Sequence, residues 1–254
     1  MNSNSTVRWF WFASPQTFFP LAGTIARWCA AGAALLALAG LYVGLVVAPT
    51  DAQQGEVYRI IFIHVPAAWM SMFTYLVMAG WAAAGLAFNT RLSFMMAQAL
   101  APTGALFTFL ALVTGAMWGK PTWGAWWVWD ARLTSELILL FLYGGVMLLR
   151  ASIDDPRRAD RASAVFALVG VVNVPIIYFS VRWWNTLHQG ASVSMTAAPK
   201  MAATMLTAML VMTLGFWMYS IAVTLVRMRC VILERDRQSS WVMHHSHREA
   251  VEVH

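Results

Sequence analysis

The chain has 254 residues, of which 60% are hydrophobic and 11% charged, with a formal net charge of +6. Soluble domains carry about 25% charged residues, so the composition excludes a soluble globular fold and points to an all-α polytopic membrane protein. The basic residues form no single stripe and no GxxxxGK[ST] run occurs, which sets aside nucleic-acid binding and P-loop ATP binding.

Six apolar stretches recur, at about 23–48, 66–88, 93–117, 133–150, 162–182 and 201–226. Each is near the roughly 20 residues that cross a bilayer core. The first contains Ala37-Leu38-Ala39, which resembles a signal-cleavage site, but the apolar run continues to Val47 and reads as an uncleaved span. The turn "AGLAFNTRLSF" joins spans two and three, and the charged, proline-broken "RASIDDPRRADRAS" joins spans four and five. Pro102 and Pro175 fall inside spans three and five and predict kinks there. The organisation expected is an N-terminal segment (1–22), one membrane domain (23–230) and a C-terminal tail (231–254). Cys29 and Cys230 form no CxxC pair, which argues against a thiol-redox site or a zinc knuckle.

Lysine and arginine bias sets the orientation. Of the 17, only Arg59, Lys120, Arg132, Arg182 and Lys200 fall in the connections after spans one, three and five. The others sit in the termini and the two remaining connections, so both termini are expected in the cytoplasm and segments 49–65, 117–132 and 183–200 outside.

The middle outward segment contains "WGAWWVWD", residues 123–130. Trp118, Trp123, Trp126, Trp127 and Trp129 crowd into it, and Trp69, Trp183 and Trp184 add to the same side. An interfacial aromatic belt is one reading; a ledge for a flat ligand is the other. If 123–130 is helical, Trp123, Trp126, Trp127 and Asp130 share one face, and Gly124 leaves room for close approach to the backbone. His64, in "IIFIHVPAAW", and His188, in "WWNTLHQG", lie on that side too; the other four histidines are in the tail. Two histidines from two different helices suit one metal with two open axial positions, and haem combines that metal with a flat apolar plane. Arg59, Arg132, Lys120 and Arg182 are placed either to meet haem propionates or to anchor the spans at headgroups. Asp130 either N-caps span four or orients a ligating histidine or Arg132. Glu136, one turn past Arg132, is expected to pair with it.

At these residues the sequence resembles a known family. "WGKPTWGAWWVWDARLTSELILLFLYGG" is similar to the tryptophan-rich signature of bacterial cytochrome c maturation haem-handling proteins. The flanking "QQGEVYRIIFIHVPAAW" and "NVPIIYFSVRWWNTLHQG" resemble the C member, the CcmC or haem exporter protein C family. The resemblance implies six transmembrane helices with a Trp-rich outward loop between helices 3 and 4, in the bacterial inner membrane. It implies His64 and His188 as axial ligands and Trp123 to Asp130 as the platform for haem and for the chaperone; with the residues read above, the candidate site for non-covalent haem b is His64, His188, Trp118, Trp123, Gly124, Trp126, Trp127, Trp129, Asp130, Arg59 and Arg132. It also implies delivery to a periplasmic haem chaperone, CcmE, with a small subunit, CcmD, and an ABC-type pair, CcmA and CcmB. Such a protein is not an enzyme, and no dedicated acid–base pair stands out in the chain. The competing reading is a b-type cytochrome passing electrons to quinone. That reading needs haem ligands reaching across the bilayer, and no histidine lies deep in the spans. A solute permease would need paired charges near the midplane, and none is convincing.

Overall fold

The computed structural model describes residues 14–188, 193, 198–199 and 201–244. The expected N-terminal segment up to residue 13 and the tail histidines His245, His247 and His254 lie outside the described residues.

The six apolar stretches form six helical spans, each long and apolar enough to cross a membrane. The chain is a multi-pass membrane protein. In order, α1 is Pro15–Tyr42, extended by a π-helical turn at Val43–Val47; a 3-10 turn, Glu56–Ile60, leads into α2, Ile61–Phe88. Then come α3 (Arg91–Trp123), α4 (Ala131–Ala151), α5 (Pro156–Gly170), α6 (Asn173–Trp183) and α7 (Ala203–Arg235). Among the described residues there is no strand, only an isolated bridge between Asp51 and Gly55.

The helices overrun the apolar stretches. Pro66 lies at the sixth position of α2 rather than at its start, so His64 is carried by the helix itself. Likewise α3 continues through Trp118 to Trp123, and α7 extends to Arg235. The fifth span is two helices. Pro175 has no N–H for the Val171 carbonyl, and its ring crowds that oxygen. Helix α5 accordingly ends at Gly170, and α6 begins at Asn173 after a tight turn in which Val174 donates to Val171 at 3.0 Å. Buried Asn173 pins the new start by donating to the Ser135 carbonyl at 2.9 Å. Pro102, by contrast, leaves α3 a single continuous helix.

Packing in a bilayer relies on close contact and on satisfied polar groups, since lipid is as apolar as leucine. Helix α1 meets α7 through small residues, with Ala22, Ala26, Ala33 and Gly40 buried along its length. The central core joins α2, α3, α4 and α5 around Tyr75 and Tyr143, both fully buried and edge-on at 5.0 Å. The Tyr143 hydroxyl donates to the Ser71 carbonyl at 2.8 Å. Its ring fits only because residue 104 has no side chain: a Cβ there would lie 2.0 Å from Tyr143 Cζ. Gly104→Ala is therefore expected to cost about 1–3 kcal/mol through overpacking, read as a lower unfolding temperature in detergent.

Candidate functional site

The α1–α2 and α3–α4 connections and the segment from the end of α6 to His188 lie at one end of the bundle, and a cavity of about 390 Å³ opens there. That volume is within the roughly 300–1,000 Å³ of small-molecule sites. The cavity is lined by both predicted histidines, His64 and His188, together with Trp118, Trp123, Trp127 and Arg132. Gln53, Gln54, Thr122 and Val57 stand at its rim, and Ala68, Ala111, Leu112, Gly115 and Glu136 complete its walls.

His64 is 9% exposed. Its Nδ1 lies 3.0 Å from Thr114 Oγ1 on α3. One turn further on, Trp118 meets the imidazole edge-on at 5.7 Å. Glycine at 115 leaves the ring undisturbed, since a Cβ there would come within 3.1 Å of His64 Cε1, tighter than ordinary contact. Trp118 is itself fixed from the other side, donating Nε1–H to Gln54 Oε1 at 2.7 Å. Gln54 is in turn set by a local turn in which Asp51 Oδ1 accepts from the backbone of Gln53 and Gln54 at 2.9 and 2.8 Å. An Asx-type turn of this kind is what aspartate supplies in a short connection.

His188 is not on a helix: it follows α6 in the irregular segment after Trp184. Its ring centre is 6.2 Å from that of His64 and 6.3 Å from that of Trp123. An imidazole nitrogen ligates a first-row metal at about 2.0 Å, and the ring centre lies roughly 1 Å further back, so two imidazoles on one ion have centres about 6 Å apart. The observed spacing matches that requirement.

The tryptophan segment is not helical. Trp123 ends α3, and Gly124 caps it in the left-handed region, φ 79°. A Cβ at Gly124 would meet nothing within 4 Å, so the glycine serves the backbone turn rather than close approach of a ligand. Lys120 reinforces the cap by donating to the Gly124 carbonyl at 3.2 Å. Residues 125–130 then run without helix, so the expected single face of Trp123, Trp126, Trp127 and Asp130 does not form. Trp123 and Trp127 face the cavity, whereas Trp126 and Trp129 are 59% and 77% exposed. The Trp127 indole N–H is buried without a partner among the described residues.

Asp130 N-caps α4, accepting from the Leu133 backbone at 2.8 Å. Its other oxygen, Oδ2, is buried and has no partner among the described residues. Arg132 lines the cavity and is tethered to α6 by a 2.8 Å bond to the Ile177 carbonyl. The expected Arg132–Glu136 ion pair does not form. Glu136 Oε1 instead accepts from Ser71 on α2 at 2.7 Å, leaving Oε2 buried and unpartnered. Arg59 does not reach the cavity wall. It closes the exposed carbonyl end of the π-helical turn, donating to Gly44 at 2.5 Å and Ala48 at 3.1 Å, and pairs with Glu56.

Thr114, Gly115 and Gln54 bear on the site but escaped the sequence reading, and Glu136 was read only as a partner for Arg132. Only the i, i+4 spacing of Thr114 and Trp118 on one helix face offered a signal for any of them.

Comparison with known proteins places the chain in a family. The sequence profile of the family described as Heme exporter protein C (CcmC) matches residues 8–243. The chain belongs to the Heme exporter protein C family. Members include the Heme exporter protein C of Escherichia coli K12, 46% identical over 231 residues, 91% of this chain and 93% of the relative. The protein of the same name from Bradyrhizobium diazoefficiens is 47% identical over 231 residues, 91% of this chain and 88% of the relative. A ccmC-like mitochondrial cytochrome c biosynthesis protein of Marchantia polymorpha is 49% identical over 154 residues, 61% of this chain and 65% of its own length. The family match therefore spans all six membrane spans and every residue lining the cavity.

Proposed function

We propose that this chain binds haem in the cavity and hands it to a partner during cytochrome c maturation. The observation that carries the reading is the 6.2 Å separation of the His64 and His188 rings, both lining a tryptophan-lined cavity. The names of the relatives, haem exporters and a cytochrome c biosynthesis protein, support the same process.

The donor set suits haem better than a bare ion. Among the described residues no group of three His, Cys, Asp or Glu is placed to hold a metal. Two imidazoles alone leave an ion under-coordinated, and a porphyrin supplies the remaining ligands. Trp118, Trp123 and Trp127 offer apolar faces and edges to its plane. Arg132 is the basic side chain on the cavity wall, and guanidinium pairs well with a carboxylate such as a propionate. The buried, unpartnered Trp127 N–H is a second donor for the same edge.

Two neutral imidazoles across one iron leave no position for oxygen, which protects the cargo until a partner displaces a ligand. The chain's own work is to orient and shield haem; it carries out no bond-making. The cavity end faces the periplasm of a bacterial inner membrane, with both termini cytoplasmic. The recipient is a CcmE-like chaperone, with CcmD and the CcmA/CcmB pair as partners and haem b as the cargo. Exposed Trp126 and Trp129 beside the mouth are the natural contact for the recipient.

Detergent-purified protein is expected to show a low-spin haem spectrum. The His64→Ala/His188→Ala double variant is expected to lose it, with haem per protein falling by an order of magnitude or more, about 1.4 kcal/mol per tenfold. An unchanged spectrum in the double variant would overturn the assignment.

A further inference from the structure

We propose that Thr114 is a positioning residue that fixes which nitrogen of His64 carries the proton. The inference rests on His64 being an iron ligand, and it adds the device that makes it one.

A threonine hydroxyl has one hydrogen to donate and lone pairs to accept with. Thr114 Oγ1 lies 2.5 Å from the Leu110 carbonyl oxygen and 3.3 Å from that of Ala111. Two oxygens at 2.5 Å repel unless a hydrogen lies between them, so the hydroxyl hydrogen is committed to Leu110. What Thr114 presents to His64 is then a lone pair. The His64 Nδ1 at 3.0 Å must supply the hydrogen of that bond. His64 is therefore the Nδ1–H tautomer, with an unprotonated Nε2 available to a metal.

The surroundings make this choice binding. His64 and Thr114 are both buried, at 9% and 8% exposure, so water does not compete for Nδ1. Trp118 stands edge-on to the ring, and the bare Cα of Gly115 sits beside Cε1, limiting rotation of the imidazole. Thr114 and Trp118 project from adjacent turns of α3, so a single helix face sets both the tautomer and the tilt of the ring. A ligating histidine normally gives its second N–H to a carboxylate, carbonyl or water, and losing that partner typically costs roughly 10–100-fold in metal affinity. A threonine whose own hydrogen is already used does the same work without introducing charge inside a span.

The test uses the full-length protein in detergent with Thr114→Val, which keeps the shape and deletes the hydroxyl, and Thr114→Ser, which restores it. Histidine 15N spectra of the haem-free protein read the tautomer, with His64 assigned by comparison with His64→Gln. Haem titration and the spectroelectrochemical midpoint read the consequence. The wild type and Thr114→Ser are expected to hold the Nδ1–H form. Thr114→Val is expected to give a tautomer mixture, haem affinity lower by roughly 10–100-fold and a more positive midpoint, because the imidazole loses electron donation to ferric iron.

A wild-type His64 protonated on Nε2 would overturn the proposal even if Thr114→Val fails to fold. So would a Thr114→Val protein with unchanged tautomer, or with a changed tautomer and unchanged haem affinity. If His64→Gln retains haem fully, the functional reading fails instead, and the tautomer result stands separately.

Discussion

Asp160→Asn is expected to destabilise the folded protein by about 3–5 kcal/mol, the range for removing one partner of a buried ionic cluster. Asp160 on α5 is 6% exposed and sits at the end of the bundle opposite the cavity. Its Oδ1 accepts from Arg150 of α4 at 2.7 Å and from Arg235 of α7 at 2.7 Å. Its Oδ2 accepts from the other Arg235 nitrogen at 2.9 Å, completing a two-pronged pair. Arg235 also donates to Gln98 of α3 at 2.9 Å. One carboxylate thus joins two guanidiniums and four helices. Without its charge, two cations share a mostly buried site, and Arg150 Nε and Arg235 Nε already lack partners. A shift of several kcal/mol corresponds to roughly 10 °C in unfolding temperature, measurable in detergent. Asp160→Glu, which keeps the charge, is expected to lose much less. Any Asp160→Asn protein that does fold should keep its haem spectrum, because the cluster is remote from His64 and His188. A melting curve unchanged by Asp160→Asn would show that the cluster does not hold the four helices together.

The spans were legible in the sequence because desolvating backbone in lipid requires long apolar helices, a constraint that leaves a clear hydropathy signal. Their ends were less so. Helices α2 and α3 continue into polar, aromatic sequence at the cavity end, where backbone bonding persists after the apolar run has stopped. Pro66 reads as a helix start yet lies five residues inside α2. The same overrun places His64, Trp118 and Trp123 on helices. The mutual nearness of His64 and His188 followed from their sharing one side of the bundle, and the cap at Asp130 followed from its place before an apolar run. The orientation of each tryptophan did not follow, because it hinges on Gly124 breaking the helix that a periodic reading continues. Glu136 defeated local reasoning as well: its partner, Ser71, is 65 residues away and reachable only once α2 and α4 pack. The i, i+4 spacing of Thr114 and Trp118 did not by itself single out Thr114, because a threonine in a span ordinarily bonds its own helix carbonyls. Here it does so and still uses its lone pair.

The two histidines are expected to be unequal. His64 is buried on α2, bonded to Thr114 and braced by Trp118. His188 is half-buried on an irregular segment after α6, against Trp123. A helix-borne imidazole in a closed niche keeps its geometry when haem leaves; a loop-borne one can swing away with little reorganisation of the bundle. On the proposed haem reading, His188 is therefore the ligand expected to yield to a recipient, and His64 the one that retains haem until then. His188→Ala should still hold haem, now with one open axial position and a high-spin spectrum. Millimolar imidazole should restore the low-spin form, since the vacated position opens toward the cavity mouth. His64→Ala should lose haem more severely, by about tenfold relative to His188→Ala, or about 1.4 kcal/mol. Added imidazole should rescue it poorly, because Thr114, Gly115 and Trp118 close the space behind the lost ring. Haem-to-protein ratio and the Soret band, recorded with and without imidazole, decide between these outcomes. Equal losses in the two variants would show that neither histidine is the weaker ligand, and better rescue of His64→Ala would place the releasing ligand on the helix.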